Sequence, residues 1–361
     1  MASPRTRICV LSCLLTAWTV SCIAAEVQKD RTPFDAAGFS RLPVKQQCDR
    51  VITALEAREV RLSNLAFVAT ESRHDVSKKD GQIVADLGKD EYEVRILNDR
   101  SWAKNTEYFK CDPNAAIRTI QTMAWDGRES LKLFAPPYMG TKNFTARVDP
   151  KENSALSNHR LTEILGLRMR TFAKTLPVAK WLRGALTEGK PFRVQSGITG
   201  DYPWILLSVQ DGGYVREFVV DPSRGFLLMR VSSVYGKNAN VNTTRCVAVT
   251  KVDGIWLPLR VTENATVYYT KTENLIDTRV SEYRIGALKA QDVTLELPIG
   301  SDVVDTVRHI SYTIEAKNKY RLKRLVLKDG VTLMLPPANP VVPRIDEDTS
   351  KLYRPLRRPD Y

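Results

Sequence analysis

The strongest constraint on the fold is an alternation of apolar and polar residues with a period of two, punctuated by Asp-Gly pairs. Tyr92, Val94 and Ile96 alternate with Glu91, Glu93 and Arg95, and Val60 and Leu62 with Arg61 and Ser63. The pattern returns at Leu257, Leu259 and Val261, and at Val293, Leu295 and Leu297. Successive side chains of a strand point to opposite faces, so such runs predict strands with one face buried and one wet. Asp-Gly supplies the positive φ values that tight hairpins require. Five such pairs stand beside strand-like sequence, at Asp80-Gly81, Asp126-Gly127, Asp211-Gly212, Asp253-Gly254 and Asp329-Gly330. Together they predict an antiparallel meander rather than a parallel sheet.

A sheet with one wet face needs other elements on its second face. Val44, Cys48, Val51, Ile52 and Leu55 share one face at 3.6 residues per turn, which predicts a helix lying across the sheet. Residues 150–190 also read as helical. Leu156, Leu161, Ile164, Leu165 and Leu167 form one patch there, and Val178, Trp181, Leu182 and Leu186 another, closed by Gly189. No Pro/Gly/Ser-rich linker separates the two sets of strands. One α+β domain over residues 43–335 is therefore expected, mainly antiparallel sheet curved into an incomplete barrel with helices covering the concave face. Two smaller domains are the alternative. Residues 26–42 read as a polar lead and residues 336–361 as a Pro-rich basic tail.

The first residues carry Arg5 and Arg7, then an uncharged apolar run from Ile8 to Ile23, then Ala24 and Ala25 before Glu26. This is the layout of a cleavable secretory signal peptide over residues 1–25, with a retained anchor as the alternative. Thr19-Val20-Ser21-Cys22 resembles the box before the lipid-modified cysteine of bacterial lipoproteins, which makes Cys22 a lipidation candidate. The expected place is the periplasm or cell envelope, soluble or held by lipid at Cys22. A net charge of +13 favours polyanions, such as an anionic envelope surface. Export argues against nucleic acid as the partner.

Of the six cysteines, only Cys48, Cys111 and Cys246 follow the leader. An odd number at such wide spacing is neither a disulfide framework nor a metal site, whose ligand pairs usually stand about two to four residues apart, so no metal is expected; one bridge or buried free thiols are both compatible with it. The chain has three histidines, His74, His159 and His309, and no G-x-S-x-G, H-E-x-x-H, C-x-x-C, Walker or dinucleotide motif in its mature part. No cofactor and no enzymatic activity are expected. A carboxylate pair of the glycosidase kind would be remote in sequence and is not identifiable from spacing.

Trp125, Trp204 and Trp256 stand on or beside turns or strands. Large aromatics on the concave side of a curved sheet can wall a cavity for an acyl chain. Trp102, Trp125, Trp204 and Trp256, with Phe218 and Leu227, are the candidate lining; as plain core residues they need no ligand.

Several segments resemble the LolA/LolB-like family of outer-membrane lipoprotein carriers. They are the amphipathic helix leading into Leu62-Ser63-Asn64-Leu65, the Trp125-Asp126-Gly127 turn, Val220-Asp221-Pro222 running into Gly225-Phe226-Leu227, and the turn from Asp253 to Pro258. Leu297-Pro298-Ile299-Gly300 followed by Val303-Val304-Asp305 resembles the closing strand of long planctomycete-type secreted relatives. The resemblance covers about residues 44–306 through short turn signatures. It implies a half-open barrel whose helices plug a hydrophobic cavity for an apolar or acylated ligand, without enzymatic activity. An envelope-stress sensor or scaffold that binds a protein partner, and an enzyme acting on polysaccharide, are the alternatives.

Overall fold

The computed structural model describes residues 34–111, 116–136, 143–150, 160–167, 169–170, 175–235, 240–266, 271–316, 319–326, 332–334 and 342–343. The leader, Cys22, Leu156, His159, the Asp329-Gly330 pair and the tail arginines lie outside the described residues.

A short helix α1 (Ala36–Ser40) precedes α2 (Val44–Arg61). Four strands then run as a meander: β1 (Asn64–Ser77), β2 (Ile83–Leu97), β3 (Arg100–Tyr108) and β4 (Ile117–Trp125). They continue into β5 (Ser130–Phe134) and β6 (Thr145–Asp149). A helical layer follows, with α3 (Arg160–Ile164), a small hairpin β7 (Met169–Arg170) and β8 (Thr175–Leu176), and α4 (Val178–Thr187). The second meander is β9 (Phe192–Thr199), β10 (Tyr202–Asp211), β11 (Tyr214–Asp221), β12 (Leu227–Tyr235), β13 (Asn240–Val252), β14 (Ile255–Thr266) and β15 (Thr272–Ile285). Last come β16 (Asp302–Asp305), β17 (Ile310–Ala316), β18 (Lys319–Val326), β19 (Thr332–Met334) and β20 (Val342–Pro343).

The two meanders join where β1 pairs antiparallel with both β2 and β15. One large, open sheet results, running from β9 at one edge through β15, β1 and β6 to β18. It is antiparallel except where β6 meets β16 in parallel. The four Asp-Gly pairs within the described residues each join antiparallel neighbours, and their glycines take φ between 62° and 99°. The curved, incomplete barrel with helices on its concave face is the fold the sequence predicts.

Helix α2 buries Cys48, Val51, Ile52 and Leu55 against the inward rows of the sheet, including Leu65, Phe67, Val94, Leu207, Phe218 and Leu257. Each large aliphatic side chain enclosed this way contributes about 1.5–3 kcal/mol. Helix α4 adds Val178, Trp181 and Leu182 to the same core. Arg183 of α4 clamps the two helices together, bonding Asp49 at 2.6 Å and Glu56 at 3.0 Å.

Three expectations change. Val60 does not begin a strand: the helix runs on to Arg61 and leaves Val60 73 % exposed, so two alternating positions were too few to separate the periods. Leu259 is exposed although Leu257 and Val261 are buried, because the β13–β14 ladder shifts register near Ala248 and flips the intervening residues. Val293, Leu295 and Leu297 form no strand. A 3-10 turn (Ala290–Val293) and an extended run carry them, and Leu295 and Leu297 pack on a second core. That core, with Leu133, Ala146, Val303, Ile310 and Tyr312, lies on the outer side of β5 and β6, where the last strands fold back. Within the polar lead, α1 buries Phe39 completely.

Candidate functional site

Along each central strand the inward row begins apolar and turns charged. On β1 the row reads Leu65, Phe67, Ala69, then Glu71 and Arg73; on β2 it reads Ile96, Val94, then Tyr92 and Asp90. On β14, Val261 is followed by Glu263, and on β15 Val280 faces the same side as Thr278. Register aligns these switches: Glu71 stands opposite Asp90 on one side and Thr278 on the other, and Thr244 stands opposite Glu263. One end of the concave face is therefore a dry core under α2 and α4, and the next zone is a buried polar cluster.

Helix α3 supplies the facing half of that cluster. It packs on β12, β13 and β14, held by the buried Leu161 and Ile164. Arg160 reaches Glu263 with two bonds, Nε to Oε2 at 2.6 Å and Nη2 to Oε1 at 3.2 Å. Such a two-pronged, charge-assisted pair fixes orientation as well as distance. Glu163 accepts from the Thr244 hydroxyl at 3.4 Å, and the same hydroxyl lies 3.5 Å from Glu263. Across the floor, Thr278 donates to Glu71 at 3.4 Å, Arg73 bridges Asp90 and Glu107, and Tyr92 donates to Asp90 at 2.8 Å.

Glu71 and Glu263 keep only 2 % and 5 % of their surface, so the charges are largely removed from water. Burial pushes the Glu71 carboxyl up to about 7, with Asp90 and Glu263 adding to the shift and Arg160 and Arg73 opposing it. Glu163 is likewise pushed up to about 7, by burial first and by Glu263 second. The Glu163 residue as a whole retains some surface while its carboxyl is enclosed. Burial also raises Asp90. Burial works against the charge of Arg160, but Glu263 outweighs it and holds the guanidinium more firmly protonated than usual.

A second arginine, this one buried, ties helix to sheet. Arg58 of α2 donates through Nη2 to the carbonyl of Trp256 at 2.5 Å, and burial lowers its pKa to about 10. Arg58 and Arg160 thus anchor two separate helices to β14.

The structure brings Phe218, Leu227 and Trp256 together in the main core. Trp125 lies half-buried on the same side of the sheet as Met123 and Ala103, farther along it. Trp102 lies on the opposite face, under the Arg95 guanidinium at 4.3 Å. Trp204 lies over Gly197 and donates to Thr199 Oγ1 at 3.1 Å; a Cβ on Gly197 would stand 2.8 Å from its ring. Trp181, which the sequence placed only on a helix, sits in the interior, 5.8 Å from Phe218 and with Arg216 over its ring at 5.1 Å. Spacing could not identify Glu71, Arg73, Arg160, Glu163 or Glu263, which come from three separate elements, β1, α3 and β14. The signal that Glu71, Arg73 and Glu263 did carry is a charge at an inward position of an alternating strand.

A cavity of about 250 Å³ lies between β4–β5 and the returning β16–β17. Its apolar wall includes Leu131, Val148, Leu295 and Tyr312; its polar wall includes Arg308, paired with Asp305 at 2.9 Å and Glu129 at 3.1 Å. None of the six residues named from sequence lines it. Among the described residues no helix is long and apolar enough to cross a membrane.

Fold and site define an open α+β half-barrel, two of whose helices are fastened to the concave face by arginines, Arg58 and Arg160. The sequence matches no family model and no curated protein. Solved structures that it partly resembles include a DUF1329 family protein from Desulfovibrio piger, at TM-score 0.43 and 11 % identity over 70 % of this chain and 99 % of the other. A LolA superfamily protein from Nitrosomonas europaea gives 0.38 and 13 %, over 69 % and 97 %. MucB, solved in complex with MucA, gives 0.21 and 10 %, over 67 % and 100 %. At TM-scores below 0.5 these likenesses assign neither a ligand nor a partner to this chain.

Proposed function

We propose that this chain is an exported, non-enzymatic protein that holds an apolar or amphipathic ligand in the interior of its half-barrel, with α3 as the movable wall. The observation that carries this reading is the Arg160–Glu263 pair, which fastens a five-residue helix over the polar cluster that borders the apolar core. A buried ion pair adds little net stability over well-packed apolar residues, because desolvation offsets most of its attraction. It is therefore a fastening that opens without dismantling the core under α2 and α4. Once open, apolar walls take up acyl surface at about 25 cal/mol per Å². Arg160 and Arg73 are placed to receive an anionic headgroup in place of a carboxylate. Hydrolysis by a Glu163–Glu263 pair is the less favoured chemistry, since Arg160 already occupies Glu263 and the pair is enclosed.

Organic extraction of the purified protein followed by mass spectrometry tests the proposal, together with uptake of a fluorescent fatty acid. Co-purified lipid, or saturable uptake that Arg160→Met alters, supports it. Protein free of lipid and unable to take up the probe in either form overturns it.

A second reading, a scaffold or sensor for a protein partner, draws on Ile83, Val84, Leu87, Phe109 and Ile117. These residues are between 41 % and 59 % exposed at the turn end of β2–β4. A partner whose capture survives Arg160→Met and is lost on Phe109→Asp would favour it over carriage.

A further inference from the structure

His74, Asp86 and Cys111 come from three separate stretches of sequence, yet their donor atoms all lie within 4.8 Å of one another. The approach is built by a bulge. Arg73 pairs with Gly88, but the next residue, His74, pairs with Asp86, so Leu87 is the extra residue and bulges outward. Gly88 makes this possible: its φ is +120°, and a Cβ there would come within 2.6 Å of the Tyr108 carbonyl. The same close passage brings the end of β3 over the bulge and sets Cys111 against it. The Cys111 amide donates to Asp86 Oδ2 at 2.9 Å, and the Gly88 amide donates to Oδ1 at 3.0 Å. His74 Nδ1 is enclosed and has no hydrogen-bond partner among the described residues, so Nε2 is the nitrogen presented to the thiol, 3.9 Å from Sγ.

We propose that His74 Nε2, Asp86 and Cys111 Sγ form a binding site for a borderline transition-metal ion of the Zn²⁺ type. An imidazole, a carboxylate and a thiolate are the mixed donor set that such an ion takes, and three protein ligands leave a position for water. Ligand bonds of about 2.0 Å to nitrogen and about 2.3 Å to sulfur set the two atoms roughly 3.5 Å apart in a tetrahedral site. Contraction by a few tenths of an ångström from 3.9 Å therefore closes that edge. Asp86 is exposed, which gives the ion a way in from solvent.

The alternative use of these groups, a cysteine nucleophile with a histidine base, fits poorly. A nucleophile needs its thiol shifted towards thiolate, whereas burial and the Asp86 carboxylate hold the Cys111 thiol protonated. Its Sγ also lies 3.1 Å from the Gly88 carbonyl, placed to donate. A metal ion reverses this by displacing the thiol proton to solvent, so binding tightens as pH rises. The other two thiols after the leader do not compete. Burial raises Cys48 to about 11 and Cys246 to about 12, and both are enclosed in the main core.

The test uses the full chain, reduced, with Cys9, Cys13 and Cys22 changed to serine. Zn²⁺ alone is titrated against a chromogenic chelator, and Co²⁺ is added as a spectroscopic substitute. The expected result is about one equivalent bound, a near-ultraviolet thiolate-to-cobalt band, and proton release. Cys111→Ser should remove the band, and His74→Ala should weaken Zn²⁺ binding at least about tenfold. Cys246→Ala should leave both unchanged, and far-ultraviolet circular dichroism establishes that each variant is folded. Absence of the band, or Zn²⁺ affinity unaltered by both Cys111→Ser and His74→Ala, overturns the proposal.

Discussion

Replacing Glu71 by glutamine isolates the cost of keeping a carboxyl group inside the half-barrel. Glu71 is 2 % exposed, and its carboxyl is pushed from an ordinary 4.5 to about 7, chiefly by burial. Between those two values the native state keeps a proton that the unfolded chain has lost. Stability therefore falls as pH rises through this window, and is fully present only below the unfolded value. The difference between 4.5 and about 7 is worth on the order of 3 kcal/mol at the alkaline end. Glutamine has the same shape, carries no charge, and still accepts from Thr278. Glu71→Gln is then expected to match wild type at about pH 4 and to exceed it by up to about 3 kcal/mol at about pH 8. Urea unfolding at both pH values reads this directly. Glu163 imposes its own slope on both proteins, so the informative quantity is the difference between them. A difference that stays constant with pH would refute the argument, since it would mean that Glu71 is ionised in the native state throughout.

Other expectations follow from the same geometry. Arg160→Ala leaves Glu263 buried without its two-pronged partner, so a loss of about 3–5 kcal/mol is expected in urea unfolding, and Arg160→Met with Glu263→Leu together should restore most of it. Ile52→Ala on α2 removes a fully buried side chain from the main core and should cost about 2–5 kcal/mol, read as a lower melting temperature. Gly197→Ala pushes a methyl against the Trp204 ring, so a changed tryptophan emission and a loss of about 1–3 kcal/mol are expected. In the native protein, a thiol reagent should label Cys111, which is only half-buried, before Cys48 and Cys246, which are buried in the main core; equal rates for all three would count against the enclosed core.

What the sequence by itself determined is whatever depends on short-range periodicity. Period two at Tyr92, Val94 and Ile96, the Asp-Gly pairs, and the 3.6-residue spacing of Cys48, Val51, Ile52 and Leu55 each record a local preference of the backbone for one face buried. From these came the antiparallel sheet and the helix across it. Where the run was short, as at Val60, or broken by a register shift, as at Leu259, local pattern misplaced the element. Only the tertiary structure decided the sites. Glu71, Arg160, Glu163 and Glu263 meet because β1 pairs with β15 and α3 lies on β14, and His74 meets Asp86 because one residue bulges at Leu87. A hydrogen-bonded ladder fixes which residues face each other across two chain segments, and no spacing within either segment carries that register.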